Sequence, residues 1–211
     1  MKARTGSRAS NPPVVAGLRR LRRAELPADT VRLARYLIGK TLVRSTRGGV
    51  AVSGRIVETE AYPPGDPSGH AFRGKTASNG SLFLERGFAY VYFCYGSSFM
   101  MNVSSERPGI GAGVLIRALE PLHGIGLMRR RRGGAALRDL ARGPGRTAAA
   151  MAIDRRYDGL DLCGRHSLWL AAPTRRRGVL AVSPRIGITR AVDHPLRFYE
   201  RGSRFVSRSS R

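Results

Sequence analysis

KTLVRSTRGGVAVSGRIVETEAY, residues 40–62, is the stretch whose reading decides the fold. Two β-rich runs, 40–47 and 50–62, are separated by Gly48 and Gly49, and both glycines accept the positive φ that a tight hairpin turn demands. Upstream, Asp29 is placed to cap a helix in which Val31, Leu33, Ala34, Leu37 and Ile38 share one face before Gly39 closes it. Downstream, 63–81 holds Pro63, Pro64, Gly65 and Pro67 among other Gly and Ser residues, a composition for a long loop, and long ordered loops usually carry function. Runs 88–96, 99–105 and 112–119 are again rich in Tyr, Phe, Val and Ile, and the Gly-Ser-Ser at 96–98 reads as the turn of a second hairpin. Segment 123–152 reads as helix with a Gly-rich break near 133, followed by strand candidates at 167–171, 178–188 and 196–200. Strands outnumber helices and come as hairpins. The expected class is therefore mixed α+β, a single compact domain with a mainly antiparallel sheet and flanking helices, rather than a doubly wound fold.

The chain has 211 residues, 38 of them Lys or Arg against 14 Asp or Glu, a formal charge of +24 that makes a polyanion the expected partner. The first 24 residues carry seven basic and no acidic side chains amid Ser, Gly and Pro, so they read as a disordered arm, and +17 remains without them. The arginine runs at 129–132 and 175–177 supply seven more charges, and +10 still remains. The body itself is basic. The runs read equally as phosphate contacts or as solvated charge. A globular domain over 25–206 and a basic tail over 207–211 complete the expected division. Cys94 and Cys163 lie far apart without CxxC spacing, which argues against a cysteine zinc site or a disulfide scaffold; no metal or cofactor is expected. No apolar run approaches the roughly 20 residues of a membrane span, and no signal peptide is evident, so a cytoplasmic location is expected, on the nucleoid in a bacterium.

Chemistry concentrates in two places. In RIVETEAY, residues 55–62, Glu58 and Glu60 stand two apart on a strand and share a face unless a bulge intervenes. They point either into a cleft, or one to an arginine and the other to solvent. In YVYFCYG, residues 90–96, alternation puts Tyr90, Tyr92 and Cys94 on one face, with Tyr95 near the hairpin tip. Such tyrosines serve either as cross-strand packing or, in a basic protein, as a stacking platform or wedge for nucleic-acid bases.

Together with His70, the Asn79-Gly80 pair, Phe83, MNVSS, VLIRALEP and LRFYERGS in this order, these blocks resemble the alkyladenine (methylpurine) DNA glycosylase family from about Leu26 to Phe205. The resemblance implies a compact domain around a curved antiparallel sheet with a protruding, DNA-inserting β-hairpin. It implies that Glu60 is the general base activating the water that attacks C1′ of a flipped nucleotide, with Arg117 and the backbone carbonyl of Ile186 helping to hold that water. Tyr62, His70 and Tyr92 match the residues that sandwich the extruded base, Asn102 the residue that clashes with the 2-amino group of guanine, and Tyr95 the side chain that fills the gap in the duplex. Ser97 and Ser98 stand where members often carry bulkier residues, which implies a smaller wedge.

The implied chemistry is consistent with the residue types. A purine alkylated at N3 or N7 is already cationic and leaves readily, so a single carboxylate activating water suffices, unlike the two-carboxylate scheme of ordinary glycosidases. A lyase would require an amine nucleophile, and Lys2, Lys40 and Lys75 fall in no nucleophile motif. The expectation is a monofunctional hydrolase, acting as a monomer on duplex DNA containing damaged purines. Two competing readings are a nonenzymatic DNA-binding protein on the same scaffold and an RNA-binding module; the latter lacks a KH loop or RRM signature.

Overall fold

The computed structural model describes residues 17–45, 51–94 and 96–207. These form eight strands in one curled, all-antiparallel sheet, with three helices packed on it. The strands are β1 (Thr41–Ser45), β2 (Ala51–Tyr62), β3 (Ala89–Cys94), β4 (Ser98–Ser104), β5 (Gly113–His123), β6 (Leu168–Ala171), β7 (Leu180–Ser183) and β8 (Arg197–Glu200). The helices are α1 (Thr30–Leu37), α2 (Ile125–Arg131) and α3 (Pro144–Met151). The expected mixed α+β class is what the chain adopts.

The long strand β2 is the axis of the sheet. One edge pairs with β5 along nearly its whole length, while the other is shared: β1 takes Ala51 to Arg55 and β8 takes Glu58 to Glu60. The order β3-β4-β5-β2-β1-β6 runs outward from it, and β7 joins through β8. Pairing of β2 with β5 slips three times, leaving Leu122 and Arg117 on β5 and Val57 on β2 without register partners. Such bulges bend a sheet and re-aim side chains. The carbonyl of the bulged Arg117 accepts from Thr147 Oγ1 of α3 at 3.1 Å.

Helix α1 forms as the sequence implies. Asp29 caps it by accepting from the Arg32 amide at 2.7 Å, and Leu33, Ala34 and Leu37 are buried against β2. Thr59 donates to the Ala34 carbonyl at 3.0 Å, so this face of β2 looks at α1 and alternation sends Glu58 and Glu60 to the other face. Segment 123–152 divides into α2, a 3-10 turn at Leu137–Asp139 and α3, with the break at Gly133 and Gly134, both at positive φ. Run 178–188 contributes only the four-residue β7; the remainder is loop.

Two boundaries differ from expectation. Residues 17–24, grouped by composition with the arm, are packed: Leu21 is in the core, its amide bonds to Leu170 at 2.9 Å, and Arg20 lies over Trp169. A strong apolar anchor inside a basic segment is enough to fold it. At the other end, Ser207, expected in the tail, is buried and hydrogen-bonded to Glu58. The Gly48-Gly49 turn, the remainder of the arm and residues 208–211 lie outside the described residues.

Candidate active site

β2 delivers Glu58, Glu60 and Tyr62 to one side of the sheet, and β5 brings Arg117 opposite them. Neither carboxylate is solvated, and each is fully buried. Glu60 Oε2 accepts from Tyr62 O–H at 3.0 Å and from Arg117 Nη1 at 3.0 Å, while Oε1 accepts from the Ile186 amide at 2.8 Å. The atom of Ile186 that reaches Glu60 is thus its N–H. A carboxylate has about four acceptor positions, so one remains open. Arg117 also gives its Nε to Glu58 Oε1 at 3.1 Å, bridging both acids. Burial alone would lower the Arg117 pKa, but Glu60 and then Glu58 outweigh it and hold the guanidinium above the ordinary arginine value. Desolvation, followed by the Glu60 charge, raises the Tyr62 phenol, which keeps it a neutral donor.

Tyr62, Arg117 and Ile186 form the wall between Glu60 and a cleft of about 1140 Å³, open mouth included. A smaller depression of about 380 Å³ adjoins it, and Tyr62, Ser68, His70 and Tyr92 line both. The aromatic set is mutually packed. Tyr90 and Tyr92, two apart on β3, stack at 5.3 Å between centroids, and His70 meets Tyr92 edge-on at 4.3 Å. His70 Nδ1 lies 2.9 Å from Tyr90 Oη. Desolvation lowers the His70 pKa, so the imidazole is neutral at neutral pH; burial, then Asp158, pushes the Tyr90 phenol up to about 12. Asn102 on β4 also lines the smaller depression; it is 6% exposed, and its Nδ2 has no hydrogen-bond partner among the described residues. The side chain thus forms part of the wall of the depression, with its Nδ2 buried.

Seven of the eight residues singled out from sequence therefore have described positions: Tyr62, His70, Tyr92, Arg117 and Ile186 line the cleft, Asn102 lines only the smaller depression, and Glu60 sits behind the wall. Tyr95 lies outside the described residues. β3 and β4 pair antiparallel from Ala89↔Val103 to Cys94↔Ser98, and beside the turn Phe93 is 55% exposed, its ring 5.1 Å from that of Phe99.

Sequence reasoning missed the groups that hold the loops. Arg185, fully buried, ion-pairs with Asp66, donates to the Ala61 carbonyl at 3.0 Å and stacks 4.6 Å from the centre of the Tyr62 ring. Asn79 donates to the carbonyls of His70 at 2.9 Å and Gly74 at 3.0 Å, and accepts from the Thr76 amide at 2.7 Å. Loop 63–79 is thereby pinned at both ends. Lone Asp, Asn and Arg residues in turn-rich segments have no periodicity to mark them; only the proximity of Arg185 to Ile186 was a signal. The arginine runs also have an answer neither alternative anticipated: Arg131 and Arg132 donate to the carbonyls of Ala150 and Leu140, Arg175 pairs with Glu120, and Arg177 donates to the Arg35 carbonyl.

Among the described residues, no group of three or more His, Cys, Asp or Glu side chains could hold a metal ion, and no helix is long and apolar enough to cross a membrane. Of the two described lysines, neither lines either depression. A sequence profile described as methylpurine-DNA glycosylase (MPG) matches residues 24–204. Among similar proteins, one from Mesorhizobium japonicum is 62% identical over 206 residues, covering 98% of this chain and 96% of its own. One from Paraburkholderia phytofirmans is 52% identical over 187 residues, covering 89% and 87%. Both carry the name "Putative 3-methyladenine DNA glycosylase".

Proposed function

Because this chain belongs to the methylpurine-DNA glycosylase family, we propose that it removes alkylated purines such as 3-methyladenine and 7-methylguanine from duplex DNA by hydrolysis, leaving an abasic site. Glu60 is the general base. The observation that carries this reading is its cradle: three donors fix the carboxylate behind the cleft wall, and one acceptor position is left for a water. As that water attacks C1′, its proton passes to Glu60, the C1′–N bond electrons leave with the purine, and the negative charge near Glu60 favours the oxocarbenium-like sugar.

Tyr62, His70 and Tyr92 receive the flipped base. An aromatic face attracts a cationic purine by about 0.5–2 kcal/mol per contact, and a neutral imidazole adds no repulsion. Asn102, in the wall of the smaller depression, clashes with the 2-amino group of guanine and so favours adenine-like bases. Tyr95 fills the space vacated in the duplex, and flipping, which costs a few kcal/mol, is cheapest for a damaged pair. The position of both described lysines away from the cleft favours a water-dependent hydrolase without lyase activity.

Single-turnover assays with duplexes containing 3-methyladenine, 7-methylguanine, hypoxanthine or ethenoadenine, followed by alkaline cleavage of abasic sites, test the reading. Release of at least the cationic bases is expected, and no release from any duplex would leave only a DNA-binding role. In Glu60→Gln, release falls by at least about 10³-fold while lesion-duplex binding persists; a wild-type rate there removes Glu60 from the chemistry.

A further inference from the structure

We infer that Glu58 is a positioning residue for the catalytic carboxylate and that the C-terminal segment, through Ser207, completes the assembly that holds it; this rests on the reading of Glu60 as the base. Glu58 differs from Glu60 in meeting four donors, none of them from the residues that wall the cleft except Arg117. Its Oε1 accepts from Arg117 Nε at 3.1 Å, Arg197 Nε at 2.7 Å and Ser207 Oγ at 2.7 Å, and its Oε2 from the Ser207 amide at 2.6 Å. Four donors surround a fully buried carboxylate that lines neither depression, so its contacts are with the protein and not with substrate. Its action is exerted through Arg117.

Arg117 is held at two atoms, Nε by Glu58 and Nη1 by Glu60. Two fixed points on a planar guanidinium set its orientation, so Glu58 determines how Arg117 presents itself to Glu60. Arg197 continues the chain of alternating charge, Glu60 to Arg117 to Glu58 to Arg197, and it reaches Ser183 Oγ at 3.1 Å and the Ser207 carbonyl at 3.0 Å. Ser207 thus contacts Glu58 with both its amide and its hydroxyl while its carbonyl is tied to Arg197. The segment before it is anchored as well. Phe205 packs on Val57 and Ala118, the neighbours of Glu58 and Arg117, and Arg142 Nε donates to the Val206 carbonyl at 2.8 Å.

Burying four alternating charges is a poor route to stability alone, because well-packed apolar side chains of similar volume commonly do as well or better. Orientation of a reacting group is what such a chain provides that apolar packing does not.

The test uses the full chain and a 7-methylguanine duplex, measuring the single-turnover rate at saturating enzyme, the Kd for the same duplex and the thermal melt. Glu58→Gln and Ser207→Pro each slow the chemical step roughly 10-fold, with Kd changed by no more than about twofold. In an Arg117→Gln background, Glu58→Gln adds no further loss, because both changes remove the same restraint. Additive losses, wild-type rates, or rate and binding declining together in step with lost folded protein would overturn the inference. Should Glu58→Gln not fold, Ser207→Ala, which removes only the hydroxyl contact, decides by the same split. Glu60→Gln separates the two layers: full activity there refutes the base assignment, whereas an inactive Glu60→Gln beside wild-type Glu58 and Ser207 variants refutes only the positioning role.

Discussion

Two glutamates that look alike in sequence have different surroundings, and the difference is a count of donors. Glu60 meets three, with a single donor on Oε1, whereas Glu58 meets four, three of them crowded on Oε1 and drawn from Arg197 and Ser207 as well as Arg117. The neighbouring His70 makes the site sensitive to pH. Desolvation lowers its pKa below the ordinary 6.5, so between that lowered native value and 6.5 the unfolded chain binds a proton the folded chain refuses. Its contribution to stability is complete above the unfolded value and is lost as pH falls through the window. Thermal melts between about pH 5 and 8 should therefore show a smaller acid-side drop for His70→Phe than for the wild type. Binding of a cationic lesion should weaken only below the lowered native value, where the folded protein's imidazole takes up its proton and repels the base. At Asn102, replacement by Ser shortens the side chain at the wall of the smaller depression and should raise excision of guanine lesions relative to adenine lesions several-fold, measured as a ratio of single-turnover rates.

At the level of elements, the site depends on how closely loop 63–79 approaches the segment before β5. A Cβ at Gly111 would lie 2.4 Å from Phe83 Cζ and 2.6 Å from Ala71 Cβ, distances that only glycine permits. Gly111→Ala should destabilise the chain by about 1–3 kcal/mol and slow base release, because Ala71 adjoins His70; a melt and a single-turnover assay check both. Helix α1 backs β2 from the other side. Loss of its cap in Asp29→Ala should cost about 1 kcal/mol in denaturant unfolding without changing the chemical step. The register on either side, Ile56↔Leu119 and Thr59↔Ile116, sets Arg117 opposite Glu58 and diagonal to Glu60, while the local slip to Glu58↔Ala118 leaves the arginine without a ladder partner of its own.

For the whole molecule, the +24 charge is not one reservoir. Many arginines are committed internally, whether over Trp169, against Asp66, or on carbonyls at the ends of α1 and α3. Of the seven basic residues in the first 24, Arg19, Arg20, Arg22 and Arg23 belong to the packed part: Arg19 and Arg22 face Glu25, and Arg23 pairs with Asp161. Lys2, Arg4 and Arg8 precede it. Removal of residues 1–16 should therefore reduce the slope of log affinity against log salt by at most about 3 and leave the saturated rate intact. Removal through residue 25 also takes Leu21 out of the core and should lower the melting temperature.

The sequence by itself determined the class of fold, the hairpin pairs, the capped helix α1, and the order of motifs that marks the family. Each of these is local, written in a period of two or of 3.6, in glycine and proline at turns, or in short blocks of residues. The family resemblance those blocks carry also picked out Glu60, Arg117, Tyr62, Tyr92 and Asn102 within them, and His70 between them, as candidate site residues. Only the tertiary structure decided what surrounds them. The partners of Glu58 are 59, 139 and 149 residues away, and Arg185 meets Asp66 across 119 residues. Nothing in spacing or periodicity encodes which of 35 arginines meets which acid. That choice is made when the folded sheet and the segments packed on it bring distant parts of the chain to one buried point, where every charge requires a partner.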